Sequence, residues 1–364
     1  MDEAPPDGHD DGGHMELKEI LTKAYNMNGS DVFIIPGARV TCKVKGDMVA
    51  LTDEIVKPAG TEQLVREAYE LARRDISKLG DEGDDDFSFA IPALSRFRCN
   101  AYFQRGTMAA TLRVVAFGLP DPASLGIPQL VMDLARFRNG MILVTGPAGS
   151  GKSTTMACIV DKINRERSGH IVTIEDPIEY IHNHKQSLVS QREVPSDAPT
   201  FDRALRASLR QAPNVIMLGE MRDLETIRTA ITAAETGHLL LSSLHTTGAA
   251  KTVDRILDTF PAEQQAQIRV QVSMVLRAVV SQRLVPKKDG GQVAVFEVMT
   301  VNPAIQNLIR DGRTHQIDNA IFGGAGQGML SMDAELQRLC RAGVITRETA
   351  LLYAVSPETL SKRI

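Results

Sequence analysis

The chain has 364 residues, 43% of them hydrophobic, and a formal charge of −4. That length suggests two domains with ordinary buried cores, and no apolar run approaches the roughly 18 residues of a membrane helix. Five acids and no Lys or Arg fall in residues 1–14; beyond them 41 basic side chains face 40 acidic ones, a near-neutral body with no basic footprint for nucleic acid.

The opening MDEAPPDGHDDGGH has the composition of a disordered acidic tail over 1–14, lacks the basic and apolar regions of a signal peptide, and leaves Met15 as an alternative start. Its His9 and His14 read as solvated side chains. Leu17, Ile20, Leu21 and Ala24 recur at helical spacing until Asn28 to Ser30 stop the helix. A strand at Val32 to Ile35 precedes a hairpin, Arg39 to Lys45 and Met48 to Leu51, turned at Lys45-Gly46-Asp47. Thr61 is placed to cap a helix running to about Ser77, with Leu64, Ala68, Leu71 and Ala72 as its apolar stripe. An acidic loop, Asp81 to Asp86, follows. Strands at Phe87 to Ile91, Phe97 to Gln104 and Met108 to Val115 complete a small α+β domain over 15–117.

Gly118 to Pro128 (GLPDPASLGIP) reads as an interdomain linker. After it, over 129–364, the pattern changes. A helix at Gln129 to Arg136 leads into strand Met141 to Thr145. Helices at Ser153 to Arg165, Phe201 to Arg210 and Asp223 to Glu235 then alternate with strands at His170 to Ile174, Val215 to Leu218 and Leu239 to Leu244, the signature of a parallel α/β sheet. From Ala249 onward the pattern reads as mostly helical, with Gly343 as a C-cap between two late helices. Cys42, Cys99, Cys158 and Cys340 are too widely separated for a zinc knuckle and read as buried thiols of a reducing compartment.

The strongest chemical signal is Gly146-Pro147-Ala148-Gly149-Ser150-Gly151-Lys152-Ser153-Thr154, a phosphate-loop spacing between an apolar strand and a helix. Backbone N–H groups and a helix N-terminus would face the phosphates of ATP; Lys152 would reach the β and γ phosphates, and Ser153 would hold Mg²⁺. About seventy residues on, Asn214 to Glu220 (NVIMLGE) is an apolar strand ending in an acid, the position from which Glu220 could hold the Mg²⁺ shell directly or through water. Thr173 to Tyr180 (TIEDPIEY) gathers Glu175, Asp176 and Glu179 at another strand end, where a carboxylate could activate water. His238 and His245 flank an apolar strand. They stand roughly 20 Å apart along it, too far to share a metal, and read separately as phosphate or subunit contacts or as packing residues.

GPAGSGKST, TIEDPIEY, LGEMRDLETI and AAETGHLLLSSLHTT, in this order, resemble the secretion ATPases of type IV pilus and type II secretion systems, and most of all the pilus retraction ATPases among them. GSDVFI, SRFRCNAYFQRG, the QRE of Gln191 to Glu193 and DRILDTFP carry the likeness along residues 15 to 355. The resemblance implies a PAS-like first domain, a RecA-like second, and a ring of six subunits. It implies that Glu179 activates water and Glu220 is the Walker B acid, that His238 and His245 form a histidine box, and that Arg98 and Arg113 reach the nucleotide across a domain or subunit boundary. It further implies ATP-driven pilus retraction, a place on the cytoplasmic face of the inner membrane, an inner-membrane platform protein as partner, and a paralogous pilus ATPase as a second. Extension and secretion ATPases of the family carry further N-terminal domains and a four-cysteine zinc site, which the sequence does not show. PAIQNLIRD departs from the retraction signature AIRNLIRE at Gln306 and Asp311, a change that bears on motor output rather than hydrolysis.

Overall fold

The structure, a computed structural model, describes residues 16–115 and 118–364, so the acidic tail, Met15, His9 and His14 lie outside the described residues. The chain divides into two units at Phe117/Gly118.

In the first unit, α1 (Leu17–Asn26) precedes β1 (Asp31–Ile34), β2 (Thr41–Val44) and β3 (Asp47–Ala50). Helices α2 (Pro58–Ala72) and α3 (Ser77–Glu82) follow, then β4 (Asp84–Ile91), β5 (Ser95–Gln104) and β6 (Thr107–Val115). The six strands form one antiparallel sheet in the order β3-β2-β1-β6-β5-β4. The β2–β3 turn has φ of 52° at Lys45 and 101° at Gly46, the two positive values that a two-residue hairpin loop needs to match strand twist. Leu17, Ile20, Leu21 and Ala24 of α1 and Leu64, Val65 and Ala68 of α2 share a core with Phe87, Phe89, Phe97 and Leu112 of the sheet.

Two local expectations change here. Thr61 is not the cap of α2: the helix starts three residues earlier, with Pro58 in its first turn, and the buried Thr61 hydroxyl donates to Pro58 O at 2.9 Å. Proline tolerates that position because its missing N–H would have no intrahelical partner there. The expected acidic loop is instead the end of α3 and the start of β4. Asp85 is fully buried, taking two bonds from the Arg74 guanidinium at 2.7 and 2.8 Å, with Lys78 Nζ at 3.1 Å and the Tyr69 hydroxyl at 3.2 Å. A buried carboxylate is tolerable when it is paired and hydrogen-bonded in this way.

The second unit opens with residues 118–128, whose Leu119, Leu125 and Ile127 pack on that unit's own core. It continues through α4 (Gln129–Met132), β7 (Gly140–Thr145), α5 (Lys152–Glu166), β8 (Gly169–Glu175), β9 (Ser187–Glu193), α6 (Phe201–Ser208), β10 (Val215–Leu218), α7 (Leu224–Glu235), β11 (Leu239–Leu244), α8 (Ala249–Asp258) and α9 (Ala262–Val275). Next come β12 (Leu276–Pro286), β13 (Gln292–Thr300), α10 (Pro303–Arg310), α11 (Ile317–Gly323), α12 (Met332–Arg341), α13 (Arg347–Tyr353) and α14 (Pro357–Ser361). Gly343, at φ 72°, follows the end of α12 as expected of a helix-terminating glycine.

The seven strands run in the order β13-β12-β7-β11-β10-β8-β9, all parallel except β13. Helices cover both faces, so β7, β10 and β11 are buried along their whole length and are mostly apolar, although β11 (LLLSSL) carries two buried serines. The expectation of a mostly helical chain after Ala249 misses β12 and β13. Leu276–Pro286 is nearly continuously buried, so it has no alternation to announce a strand, and the Gly290-Gly291 pair that turns it into β13 at φ 93° and 73° is the signal that was available.

Candidate functional site

The phosphate loop joins β7 to α5 at the C-terminal edge of the parallel strands, where the chain order switches: β7 lies between β11 and β12, while the next strand in sequence, β8, is three places away. Open α/β sheets place ligands at such a crevice. Gly146 has φ 148°, and a Cβ there would stand 2.1 Å from the backbone oxygen of Gln282 on β12 and 2.7 Å from Ser150 Oγ, so glycine is what lets the loop lie against β12. Gly149 and Gly151 also have positive φ, 73° and 86°, the backbone form from which successive N–H groups make an anion-binding concavity.

Lys152 is 8% exposed, and its Nζ donates to the loop carbonyls of Gly146 and Pro147, both at 2.9 Å. Burial lowers its pKa, and the charge of Glu220 works in the opposite direction. The buried Ser150 hydroxyl has no hydrogen-bond partner among the described residues. A buried cation, an unpartnered buried hydroxyl and a glycine-lined cradle together fit a polyphosphate chain.

One cleft of about 250 Å³ collects Gly149, Lys152, Ser153, Glu175, Glu179, Glu220 and His245 among its walls. Strand C-termini bring them there. Glu175 ends β8, Glu220 lies two residues past β10, and His245 follows β11 directly. Glu220 Oε2 takes bonds from Arg222 Nε at 2.7 Å and His245 Nε2 at 3.3 Å, and the Ser243 hydroxyl fixes the preceding Gly219 carbonyl at 2.7 Å. The hydroxyl of Ser153 and the carboxylates of Glu220 and Glu179 are the hard oxygen donors Mg²⁺ prefers. Glu175 is 6% exposed, and burial pushes its carboxyl up to about 7 against the hydrogen bonds from Thr173, Gln191 and the Glu179 backbone.

The loop and the acids are thus brought together; His238 is not part of this cleft. His238 precedes β11, and its carbonyl accepts from Gly140 N at the first residue of β7, so it stands at the opposite end of the strand from the phosphate loop. Its Nδ1 lies 3.0 Å from Ala233 O and 3.2 Å from Thr236 Oγ1, the surroundings of a helix-end packing residue. A strand of six residues spans roughly 20 Å, so His238 cannot touch a nucleotide held by its own loop. Arg98 and Arg113 sit in the first unit as direct cross-strand partners on β5 and β6, on the sheet face away from the core. Arg113 Nε is bound to Asp31 Oδ1 at 2.9 Å.

Three residues not singled out in the sequence support the cleft. Gln282 Oε1 accepts from the Thr155 hydroxyl at 2.7 Å and so braces α5 from β12; Tyr180 OH lies 2.9 Å from Thr154 Oγ1; Arg222 pairs with Glu220. Arg222 was visible inside GEMRD, whereas Gln282 sits in a strand the sequence reading missed.

In the departing motif, α10 buries Ile305 and Ile309, while Gln306 is half-buried and Asp311 pairs with Arg313 at 2.7 Å.

The family model described as "Type II/IV secretion system protein" matches residues 11–323. A Pseudomonas aeruginosa protein described as "Type IV pilus retractation ATPase PilT" is 42% identical over 345 residues, covering 94% of this chain and 99% of that protein. A "Twitching motility protein" of Neisseria gonorrhoeae is 47% identical over 277 residues, 76% of this chain and 74% of that one. Among solved structures, "Crystal Structure of the Pilus Retraction Motor PilT and Bound ADP" superposes with a TM-score of 0.86 at 41% identity, covering 96% of this chain and 99% of that chain. With a phosphate-loop cleft at the sheet's switch point and matches that run nearly end to end, the chain belongs to the type II/IV secretion system protein family.

Proposed function

We propose that the chain is an ATP-hydrolysing motor that powers retraction of type IV pili. The observation that carries this reading is the meeting of Lys152, Ser153, Glu179, Glu220 and His245 in one cleft at the phosphate loop. It is supported by the near full-length likeness to a retraction ATPase and to a retraction motor solved with ADP.

ATP is the substrate, its phosphates held by residues 146–154. Lys152 supplies the charge that grips them. Bound Mg²⁺ would supply charge neutralisation between phosphates, and Ser153 and Glu220 are the residues that would hold it. Glu179 accepts the proton of the attacking water, a role worth roughly 10² to 10⁴ in rate. His245 and Arg222 orient the Glu220 carboxylate. Arg98 and Arg113 are arginine fingers that complete the site when the domains and subunits of a six-membered ring close; Arg113 would leave Asp31 to do so. The motion passes to an inner-membrane platform protein from the cytoplasmic side. No helix of the described residues is long and apolar enough to cross a membrane.

Lys152→Ala tests the nucleotide grip: it should abolish binding of fluorescent ADP, and tight binding by the variant would overturn the assignment. Deleting the gene tests direction. Surface pili should accumulate and twitching should stop, whereas loss of pili would make this an extension motor.

A further inference from the structure

The turn that carries Glu179 is long and polar, and it connects β8 to the edge strand β9. A catalytic carboxylate on such a turn is useful only if something fixes the turn, and the hydrogen bonds show what does. Parallel pairing sets Thr173 opposite Gln191 and Glu175 opposite Glu193, and the two-residue strand period puts all four side chains on one face.

From there the Gln191 amide spends its bonding capacity on the turn. Its Oε1 accepts from His182 N at 2.7 Å; its Nε2 donates to Tyr180 O at 2.9 Å and to Glu175 Oε1 at 3.2 Å. Glu175 in turn receives the Thr173 hydroxyl at 2.7 Å and the backbone N–H of Glu179 itself. One residue pair further along, Glu193 Oε2 accepts from Ile178 N at 3.0 Å. Both ends of the Gln191 amide are used, two donors and one acceptor, so its orientation is fixed. Turning it over would set NH₂ against an N–H and oxygen against two oxygens. Only glutamine provides this set: Glu has no donor for Tyr180 O or Glu175, and Asn is one methylene short.

We propose that Gln191 is a positioning residue for hydrolysis, holding the 176–182 turn so that Glu179 faces the phosphate loop. The inference rests on the reading of Glu179 as the residue that activates water. Tyr180 makes the connection physical on the other side, since its hydroxyl lies against Thr154 at the start of α5. Gln191 therefore acts without touching the nucleotide: it sets the rate and not the affinity.

The test uses the full-length assembled protein and steady-state ATP hydrolysis. Gln191→Ala should lower kcat at least tenfold while leaving KM for ATP and the affinity for ADP within threefold. Gln191→Glu, which keeps length and acceptor but loses both donors, should do the same and guards against a simple cavity effect. Leu188→Ser, at an outward position of the same strand with 65% exposure, should keep the wild-type rate. In a Glu179→Gln background, Gln191→Ala should change the residual rate less than twofold, because a residue acting through Glu179 has nothing left to position. Amide exchange at His182 should accelerate in Gln191→Ala.

A normal kcat in Gln191→Ala, or a loss that multiplies in the Glu179→Gln background, overturns the positioning role. A normal kcat in Glu179→Gln overturns the reading of Glu179 instead, and the two failures are told apart by the single variants.

Discussion

Replacing Gly146 by alanine separates what the loop's shape contributes from what its chemistry contributes. The added Cβ would lie 2.1 Å from Gln282 O, whereas a carbon–oxygen contact settles near about 3.3 Å, so the loop and β12 must part by roughly 1 Å. The strand cannot easily yield, because Gln282 is paired with Phe296 in the middle of the β12–β13 ladder. A non-glycine residue at φ 148° adds on the order of 1–3 kcal/mol of backbone strain, and overpacking a tight site costs about as much again. The loop escapes this by leaving the conformation that cradles phosphate. At about 1.4 kcal/mol per tenfold, even 2 kcal/mol of that strain weakens nucleotide about thirtyfold.

Gly237 is the control. It has φ 101° with no atom of the described residues, its chain neighbours aside, within 4 Å of an added Cβ, and it lies between α7 and β11, at the other end of the sheet. Gly237→Ala should carry the backbone strain alone, lowering stability by roughly 1–3 kcal/mol with ADP affinity unchanged. Calorimetric titration with ADP and a denaturant midpoint on each variant decide the matter. Binding by Gly146→Ala within threefold of wild type would refute the steric argument.

Glu179→Gln and Glu220→Gln should bind ATP yet hydrolyse it at least a hundredfold more slowly, and wild-type turnover in either removes that residue from the mechanism. Arg98→Ala and Arg113→Ala should fold normally and bind ADP while losing hydrolysis in the assembled ring; a normal rate there refutes the finger role. Burial opposes ionisation of Asp85, but Arg74 and Lys78 outweigh it and hold the carboxyl below its usual range. That stabilisation is present above the unfolded pKa of about 3.9 and is lost as pH falls through the lower native value. Asp85→Asn should therefore destabilise the first unit at pH 7 and flatten its acid unfolding, read by circular dichroism of the isolated variants across pH. Glu175 has the opposite sign: its carboxyl is raised to about 7, so its contribution favours the native state at pH 4 and weakens as pH rises through 7. Glu175→Gln should raise the melting temperature at pH 8 and not at pH 4, and a gain of equal size at both values would refute the assignment.

Much of this protein is written locally. The phosphate loop is legible because its chemistry is contiguous: glycines, Lys152 and the helix that follows are neighbours in sequence as well as in space. The strands β7, β10 and β11 are legible because burial on both faces leaves each a mostly apolar run. Glu220 and Glu179 could be named because each follows such a strand, where a parallel sheet delivers side chains to one edge. The limits are equally local. Asp85 lies in a run of acids that reads as a loop, and only the arrival of Arg74, Lys78 and Tyr69 makes it a buried ion-pair centre.

By itself, then, the sequence determined the family, the two-part α+β and α/β plan, and the loop that grips phosphate, since each depends on short-range spacing. Tertiary structure alone decided which of the marked residues share a cleft. His245 and His238 belong to one motif seven residues apart, yet a single strand carries one to the phosphate loop and leaves the other at the far edge. Gln191 stands in the sequence only as part of the QRE likeness and Gln282 carries no signal at all; both become supports of the site only through the pairing of β9 with β8 and β12 with β7, because strand order and register are contacts between segments that no local pattern encodes.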